Sequence, residues 1–83
     1  MKDCFITFRS ITPAQRGENL LRRNGVFCSI QRTPKWMQEQ GCSYSLWLHS
    51  VDGLRAGSLL QANGIAYRKI YLHENGKLEE LHL

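Results

Sequence analysis

The sequence predicts an α+β fold in which two helices cover one face of a four-stranded antiparallel sheet. Three observations lead to this prediction: the chain has only 83 residues, 42% of them are apolar and 22% charged, and one of its segments is repeated. A chain of this length supports a single small core, and the composition is that of a globular protein. We therefore expect one domain over residues 1–74 and a hairpin or tail over residues 75–83.

The repeat is the clearest structural signal in the chain. Residues 20–26 (LLRRNGV) align without a gap on residues 59–65 (LLQANGI). In both copies Asn-Gly follows a helical stretch, and glycine at that place adopts the left-handed conformation that ends a helix. Each half therefore predicts strand, helix and strand, and two such halves in a short chain are typical of the ferredoxin-like split β-α-β arrangement.

Each predicted element has a local signal of its own. The strands, rich in aromatic and branched residues, are expected over residues 4–9, 26–32, 44–49 and 66–73. Thr12 is the expected cap of the first helix, since Pro13 suits a first helical position, and Ser50 is the expected cap of the second. The pair Asn75-Gly76 predicts a tight hairpin turn and an extra edge strand through Leu83.

Alternation along the strands divides their side chains between two faces of the sheet. The helix-facing set is Ile6, Phe8, Val26, Cys28, Ile30, Leu46, Leu48, Ile70 and Leu72. The open face carries the aromatic residues Phe5, Phe27, Trp47, Tyr67 and Tyr71. This face supports an alternative function, a non-catalytic binding module for a second copy, a protein partner or single-stranded RNA. The RNA-recognition signature of this fold is absent, so nucleic acid is the least favoured of the three.

Charge and cysteine content restrict the function classes further. The 11 basic and 7 acidic residues give a net charge of +4, which allows an anionic partner without requiring one. No apolar run is long enough to cross a membrane and the first residues do not resemble an export signal, so we expect a cytoplasmic protein. The three cysteines form no CxxC pair and fit no zinc template, which favours reduced thiols without metal or cofactor.

The connection between the second and third strands is longer than most hairpin loops, and long connections are often functional. Cys42 lies near its end, between Gly41 and Ser43. In the split arrangement the third strand lies beside the first. We therefore expect Cys42 to enter its strand close to the segment that begins the first helix, which contains Arg9, Ser10 and Thr12.

This position predicts an activated thiol at Cys42. The first amides of a helix lack intrahelical partners and carry partial positive charge, and Arg32 and Lys35 add formal charge. A thiol pKa of about 8.5, lowered by about 1.5 units as seen beside helix N-termini and cations, leaves about half of the group ionised at neutral pH. Cys4 and Cys28 fall on the helix-facing side, where a free cysteine behaves as a small buried hydrophobic residue. No histidine maps beside Cys42, so a cysteine hydrolase is not expected.

The order and spacing of several short motifs add a family resemblance. The motifs are Phe8-Arg9-Ser10, Glu18, Leu20-Leu21, Gly25, Arg32-Thr33-Pro34, Gly41-Cys42-Ser43-Tyr44 and Leu46. Together they resemble the small bacterial selenium/sulfur carrier-like proteins over most of the chain. Members commonly have glycine directly after the cysteine, whereas this chain has Ser43.

The resemblance implies a cytosolic domain whose loop cysteine, here Cys42, holds a sulfur or selenium atom for transfer. The leading interpretation is thus a carrier rather than a conventional enzyme. Its partners are then a donor protein and an acceptor protein. Sulfur and selenium are not distinguished, because both are carried by the same thiolate.

Overall fold

The computed structural model of the chain describes residues 2–35 and 43–82. Its helices and strands are β1 (Asp3–Phe8), α1 (Ile11–Arg23), β2 (Cys28–Arg32), β3 (Tyr44–His49), α2 (Gly53–Ala62), β4 (Ile70–Glu74) and β5 (Lys77–Leu81). A short 3₁₀ helix over Ser50–Asp52 precedes α2. The expected α+β class is confirmed.

The strands form one antiparallel sheet in the order β2-β3-β1-β4-β5. β1 lies between β3 and β4, and β3 lies between β1 and β2, so the expected neighbourhood of the first and third strands is observed. β5 is a fifth strand, added to β4 by a hairpin whose turn residues Asn75 and Gly76 both have positive φ (53° and 76°). Positive φ at both positions is the signature of the tight hairpin turn that the sequence predicts.

The two copies of the repeat end their helices in the same way. The Val26 amide donates to the Leu21 carbonyl (2.9 Å), and the Ile65 amide donates to the Leu60 carbonyl (3.0 Å). The glycine one residue earlier has φ of 79° in the first copy and 67° in the second. These are two Schellman motifs, in which buried apolar residues follow a left-handed glycine.

The main core lies between the helices and one face of the sheet. All nine side chains expected on the helix side belong to it or pack against it. α1 comes close to the sheet because Gly17 has no side chain: an added Cβ would lie 3.2 Å from Leu60 Cδ2 and 3.3 Å from Leu46 Cδ1. This close packing fixes the position of the first turn of α1 relative to the strand ends.

The N-terminus of α1 differs from the prediction. Ser10, with extended backbone (φ −143°, ψ 169°), is the N-cap, and the helix begins at Ile11. Thr12 and Pro13 therefore lie inside the first turn. Proline is tolerated there because the amides of the first turn have no intrahelical acceptor.

Two further boundaries are shifted. Ser50 begins the 3₁₀ helix instead of capping α2, which starts at Gly53 after the N-cap Asp52. β2 begins at Cys28, two residues later than expected, because the amide of Val26 is used in closing the end of α1.

The residues that precede β4 differ from the prediction, and Tyr67 lies on the other face of the sheet as a result. β4 starts at Ile70, not at residue 66. Just before it, the Arg68 amide donates to the Thr7 carbonyl (2.8 Å), while the Thr7 amide donates to the Lys69 carbonyl (2.9 Å). Arg68 and Lys69 thus oppose the single residue Thr7, as in a β-bulge. Because of the extra residue, side chains before the bulge lie on the face opposite to the one that simple alternation predicts. Tyr67 therefore packs against the helix-side core rather than on the open face.

Candidate functional site

The base of the long connection is closed by a backbone hydrogen bond. The Thr33 amide donates to the Ser43 carbonyl at 3.0 Å, one residue beyond the β-pair Arg32–Tyr44. On its other side Tyr44 is paired with Phe8, the last residue of β1. The connection therefore leaves and re-enters the sheet at the end where β1 leads into α1.

Gly41 and Cys42, two of the predicted site residues, lie outside the described residues. Ser43, the next residue along the chain, is half-buried at the base of the connection. At the other end of the segment Lys35 is exposed, and Arg9 is exposed where β1 ends. The described residues predicted to surround the Cys42 thiol thus lie at one end of the sheet.

No capping or acidic side chain in the first turn of α1 offsets the partial positive charge of the helix N-terminus. Ser10 makes no side-chain capping hydrogen bond, and no residue of the first turn is acidic. The amides of Ser10, Ile11 and Thr12 lack intrahelical acceptors, and Pro13 has no N–H to offer. The partial positive charge of these amides favours an anion nearby.

Formal charges are unevenly distributed between the two ends of the sheet. The cations at the end where α1 begins are Arg9, Arg32, Lys35 and Arg68. Asp3 and Glu74, at the first residue of β1 and the last of β4, lie at the opposite end. The cations there include Lys2, whose Nζ is 3.2 Å from the Glu74 carboxylate, and Lys77, the β-pair partner of Glu74. Glu80 lies closer to the positive end, but its carboxylate is 3.5 Å from Lys69 Nζ. Arg32 is held over the Tyr44 ring, with its Cζ 5.5 Å from the ring centre.

The two cysteines that the structure describes are buried, as expected. Cys4 and Cys28 both have side chains with no exposed surface. Burial raises the pKa of Cys4 to about 12. Burial, and then the charge of Glu18, raise the pKa of Cys28, and its Sγ lies 3.9 Å from the Glu18 carbonyl. Both thiols are therefore poor nucleophiles at neutral pH.

The other face of the sheet is less open than the sequence suggests. Phe5 (7% exposed) and Tyr71 (8%) pack with Trp47 into a second apolar cluster. Their burial was not expected, because alternation gives the face of a side chain but not what its neighbours cover. Phe27 is 60% exposed and stacks on His49 at 6.2 Å.

Trp47 joins these two groups of aromatic side chains. Its ring meets Phe27 edge-to-face at 6.1 Å and His49 at 5.0 Å. Its indole Nε1 donates to Asp3 Oδ1 at 2.9 Å. The exposed aromatic surface is thus a small cluster near the end of the sheet opposite the connection, not a platform across four strands.

A groove that sequence reasoning missed lies beside the first turn of α1. It has a volume of about 480 Å³ and is lined by Arg9, Pro13, Ala66, Tyr67 and Arg68. The lining residues come from two segments that are more than 50 residues apart in the sequence. The bulge before β4 brings these segments together. The sequence contains no signal for this bulge, since residues 66–69 resemble the strand that follows them.

Within the described ranges no three histidine, cysteine or acidic side chains are grouped to hold a metal ion. No helix in the same ranges is long and apolar enough to cross a membrane.

Comparison with known proteins identifies one family. The family model described as "Putative Se/S carrier protein-like" matches residues 3–72, which run from the start of β1 into β4. No curated protein and no solved structure matches the chain.

Proposed function

Because the chain belongs to the Se/S carrier protein-like family, we propose that it carries sulfur or selenium on the thiol of Cys42. The thiolate attacks the outer sulfur or selenium of a donor persulfide. A bond forms between Cys42 Sγ and that outer atom, the bond to the inner sulfur of the donor breaks, and the donor leaves as a thiolate. A nucleophile of the acceptor then takes the outer atom and releases the Cys42 thiolate, so that no net oxidation occurs.

The pairing of Phe8 with Tyr44, next to the Thr33–Ser43 hydrogen bond, is the observation that carries this proposal. It brings the base of the connection that contains Cys42 to the positive end of α1. An anionic thiolate, persulfide or selenopersulfide is stabilised by unpaired amides and nearby cations. The residues proposed to stabilise it are Arg9, Ser10, Thr12, Arg32, Lys35, Gly41 and Ser43.

A carrier needs an exposed nucleophile and a docking surface, but it does not need an enclosed substrate cavity. We therefore propose a carrier in the cytoplasm that exchanges its atom with a donor and an acceptor protein. The strand order β2-β3-β1-β4 is the one that the ferredoxin-like arrangement requires. We assign residues 1–74 to that domain, and residues 75–83 to a hairpin that adds β5.

Treatment with inorganic polysulfide and peptide mapping by mass spectrometry test the carrier function. We expect the mass of one additional sulfur on the peptide containing Cys42, removed by a thiol reductant. The variant Cys42→Ser should acquire no label. Label on Cys28 with none on Cys42 contradicts the proposal.

The alternative, a binding module, has one specific observation in its favour. Phe27 is largely exposed and stacked on His49, which is suitable for contact with a second copy or a protein. The burial of Phe5 and Tyr71 removes two of the aromatics that a single-stranded RNA platform needs. A molecular mass that rises with concentration in the wild type but not in Phe27→Ser favours self-association. Salt-dependent retention on RNA favours nucleic acid.

A further inference from the structure

The groove beside α1 has two walls of different origin. Arg9 and Pro13 form one wall, at the end of β1 and in the first turn of α1. Ala66, Tyr67 and Arg68 form the other, in the segment that leads into β4. Its volume of about 480 Å³ lies within the range of ligand sites.

The second wall of the groove is held in place by hydrogen bonds. The Arg68 amide donates to the Thr7 carbonyl of β1 at 2.8 Å. Gln61 of α2 donates to the Tyr67 hydroxyl at 2.9 Å, and the Tyr67 ring packs against the core. The groove is therefore preformed, and binding there does not require the wall to be ordered first.

The two arginines of the groove have no counter-charge among residues 2–35 and 43–82. Neither the Arg9 nor the Arg68 side chain makes an ion pair or hydrogen bond with any residue of the described part of the chain. Both are exposed, and both line the groove. Pro13, Ala66 and Tyr67, which line the same walls, supply apolar surface. The groove thus combines apolar surface with two arginines that have no ion-pair partner in the described part of the chain.

We propose that this groove binds an extended acidic peptide segment of a protein partner. Carboxylates of the segment pair with Arg9 and Arg68, and an apolar side chain packs on Pro13, Ala66 and Tyr67. The apolar part of the lining favours a peptide over a free inorganic anion, which gains nothing from such surface. Because the groove lies at the end of the sheet where the Cys42 connection begins, and given the proposed carrier function, the partner is the sulfur or selenium donor or the acceptor.

A titration followed by amide NMR shifts tests the site. The probe is a short blocked peptide of alternating aspartate and leucine, and its control has asparagine in place of aspartate. We expect saturable shifts at Ala66, Tyr67 and Arg68 with a Kd on the order of 1 mM or tighter, and at least fivefold weaker binding of the control. Absence of shifts at these residues overturns the proposal. Inorganic phosphate that shifts the same amides as strongly as the peptide overturns the peptide assignment.

Two arginine variants and one cysteine variant separate the groove from the thiol. Arg68→Ala should weaken peptide binding by about fivefold, the effect of losing one exposed ion pair, while Arg23→Ala at the far end of α1 should change it less than twofold. Arg68→Ala should still be labelled at Cys42 by inorganic polysulfide. Cys42→Ser should bind the peptide normally. If Arg68→Ala and Arg23→Ala weaken binding equally, the groove is not the site, whatever the outcome at Cys42.

Discussion

The backbone amide of Thr33 donates a 3.0 Å hydrogen bond to the carbonyl of Ser43. This bond extends the pairing of β2 and β3 by one residue and brings together the two ends of the segment that contains Cys42. Tyr44, the next residue, is paired with the last residue of β1. The positive end of α1 and the base of the connection are therefore neighbours because of strand register, and the predictions for the thiol depend on that register.

Reversal of one charge at this end should change the ionisation of Cys42. Arg32→Glu is expected to raise the pKa of the thiol by about half a unit, because a nearby cation that favours the thiolate is replaced by an anion. The pKa is measured from the rate of alkylation against pH. The matched variant Lys77→Glu makes the same charge change at the opposite end of the sheet and should have little effect. Equal pKa shifts of Cys42 in both variants would contradict this prediction, because the thiol would then respond to the net charge of the protein and not to the position of Arg32.

The equivalent helix ends should respond equally to substitution. Gly25→Ala and Gly64→Ala should each lower the free energy of unfolding by about 1 kcal/mol, because φ is positive at both sites and an L-residue is strained there. Apart from the adjacent residues of the chain, no described atom lies within 4 Å of the added Cβ at either site, so the loss comes from backbone conformation.

Urea denaturation measures this loss, and substitution by asparagine provides the control. Gly25→Asn and Gly64→Asn should be milder, because asparagine tolerates the left-handed region. An unchanged midpoint in either alanine variant contradicts the Schellman assignment for that helix.

The outer edge of β2 is partly closed by side chains of α1. Arg22 donates to the Cys28 carbonyl from Nε (3.1 Å) and from a terminal nitrogen (2.8 Å), and Glu18 accepts from the Ile30 amide at 3.1 Å. Arg22→Ala should lower the free energy of unfolding by about 1 kcal/mol. Arg23→Ala removes an adjacent helix-end cation and should cost less than half as much. Equal losses in thermal or urea unfolding would mean that the contacts with β2 contribute nothing measurable.

Cys4 should make the protein sensitive to alkaline pH. Its pKa is raised from 9.0 to about 12 by burial, so the folded protein holds the thiol proton more tightly than the unfolded chain. This contribution to stability is complete below pH 9 and is lost as the pH rises towards 12. Between these values the free energy of unfolding should fall more steeply in the wild type than in Cys4→Ala. Parallel curves for the two proteins would contradict the burial of this thiol.

The features predicted correctly from the sequence are those set by local chemistry. The Asn-Gly helix ends, the hairpin turn at Gly76 and the bounds of β3 follow from residue conformational preferences and alternation. The helix-facing side chains follow from the same alternation, since the pleat places every second residue on one face.

The features missed depend on contacts between distant segments. Two residues before β4 bond to the single residue Thr7, and nothing in residues 66–69 reveals that bulge. Tyr67 consequently lies on the helix side of the sheet and not on the predicted open face. For the same reason the groove beside Arg9 was not predicted. Pro13 suggested a helix that starts after Thr12, but the helix starts at Ile11 because a proline can occupy any position of the first turn.

The ionisation of the Cys42 thiol is the most direct test of the carrier proposal. The rate of alkylation by iodoacetamide is measured against pH, with Cys42→Ser as the blank, since the buried Cys4 and Cys28 should react little in the folded protein. The account predicts that alkylation resides on Cys42 and that its rate has a midpoint near pH 7, about 1.5 units below that of a free thiol. A midpoint at or above about 8.5, or an equal rate in the blank, would contradict it.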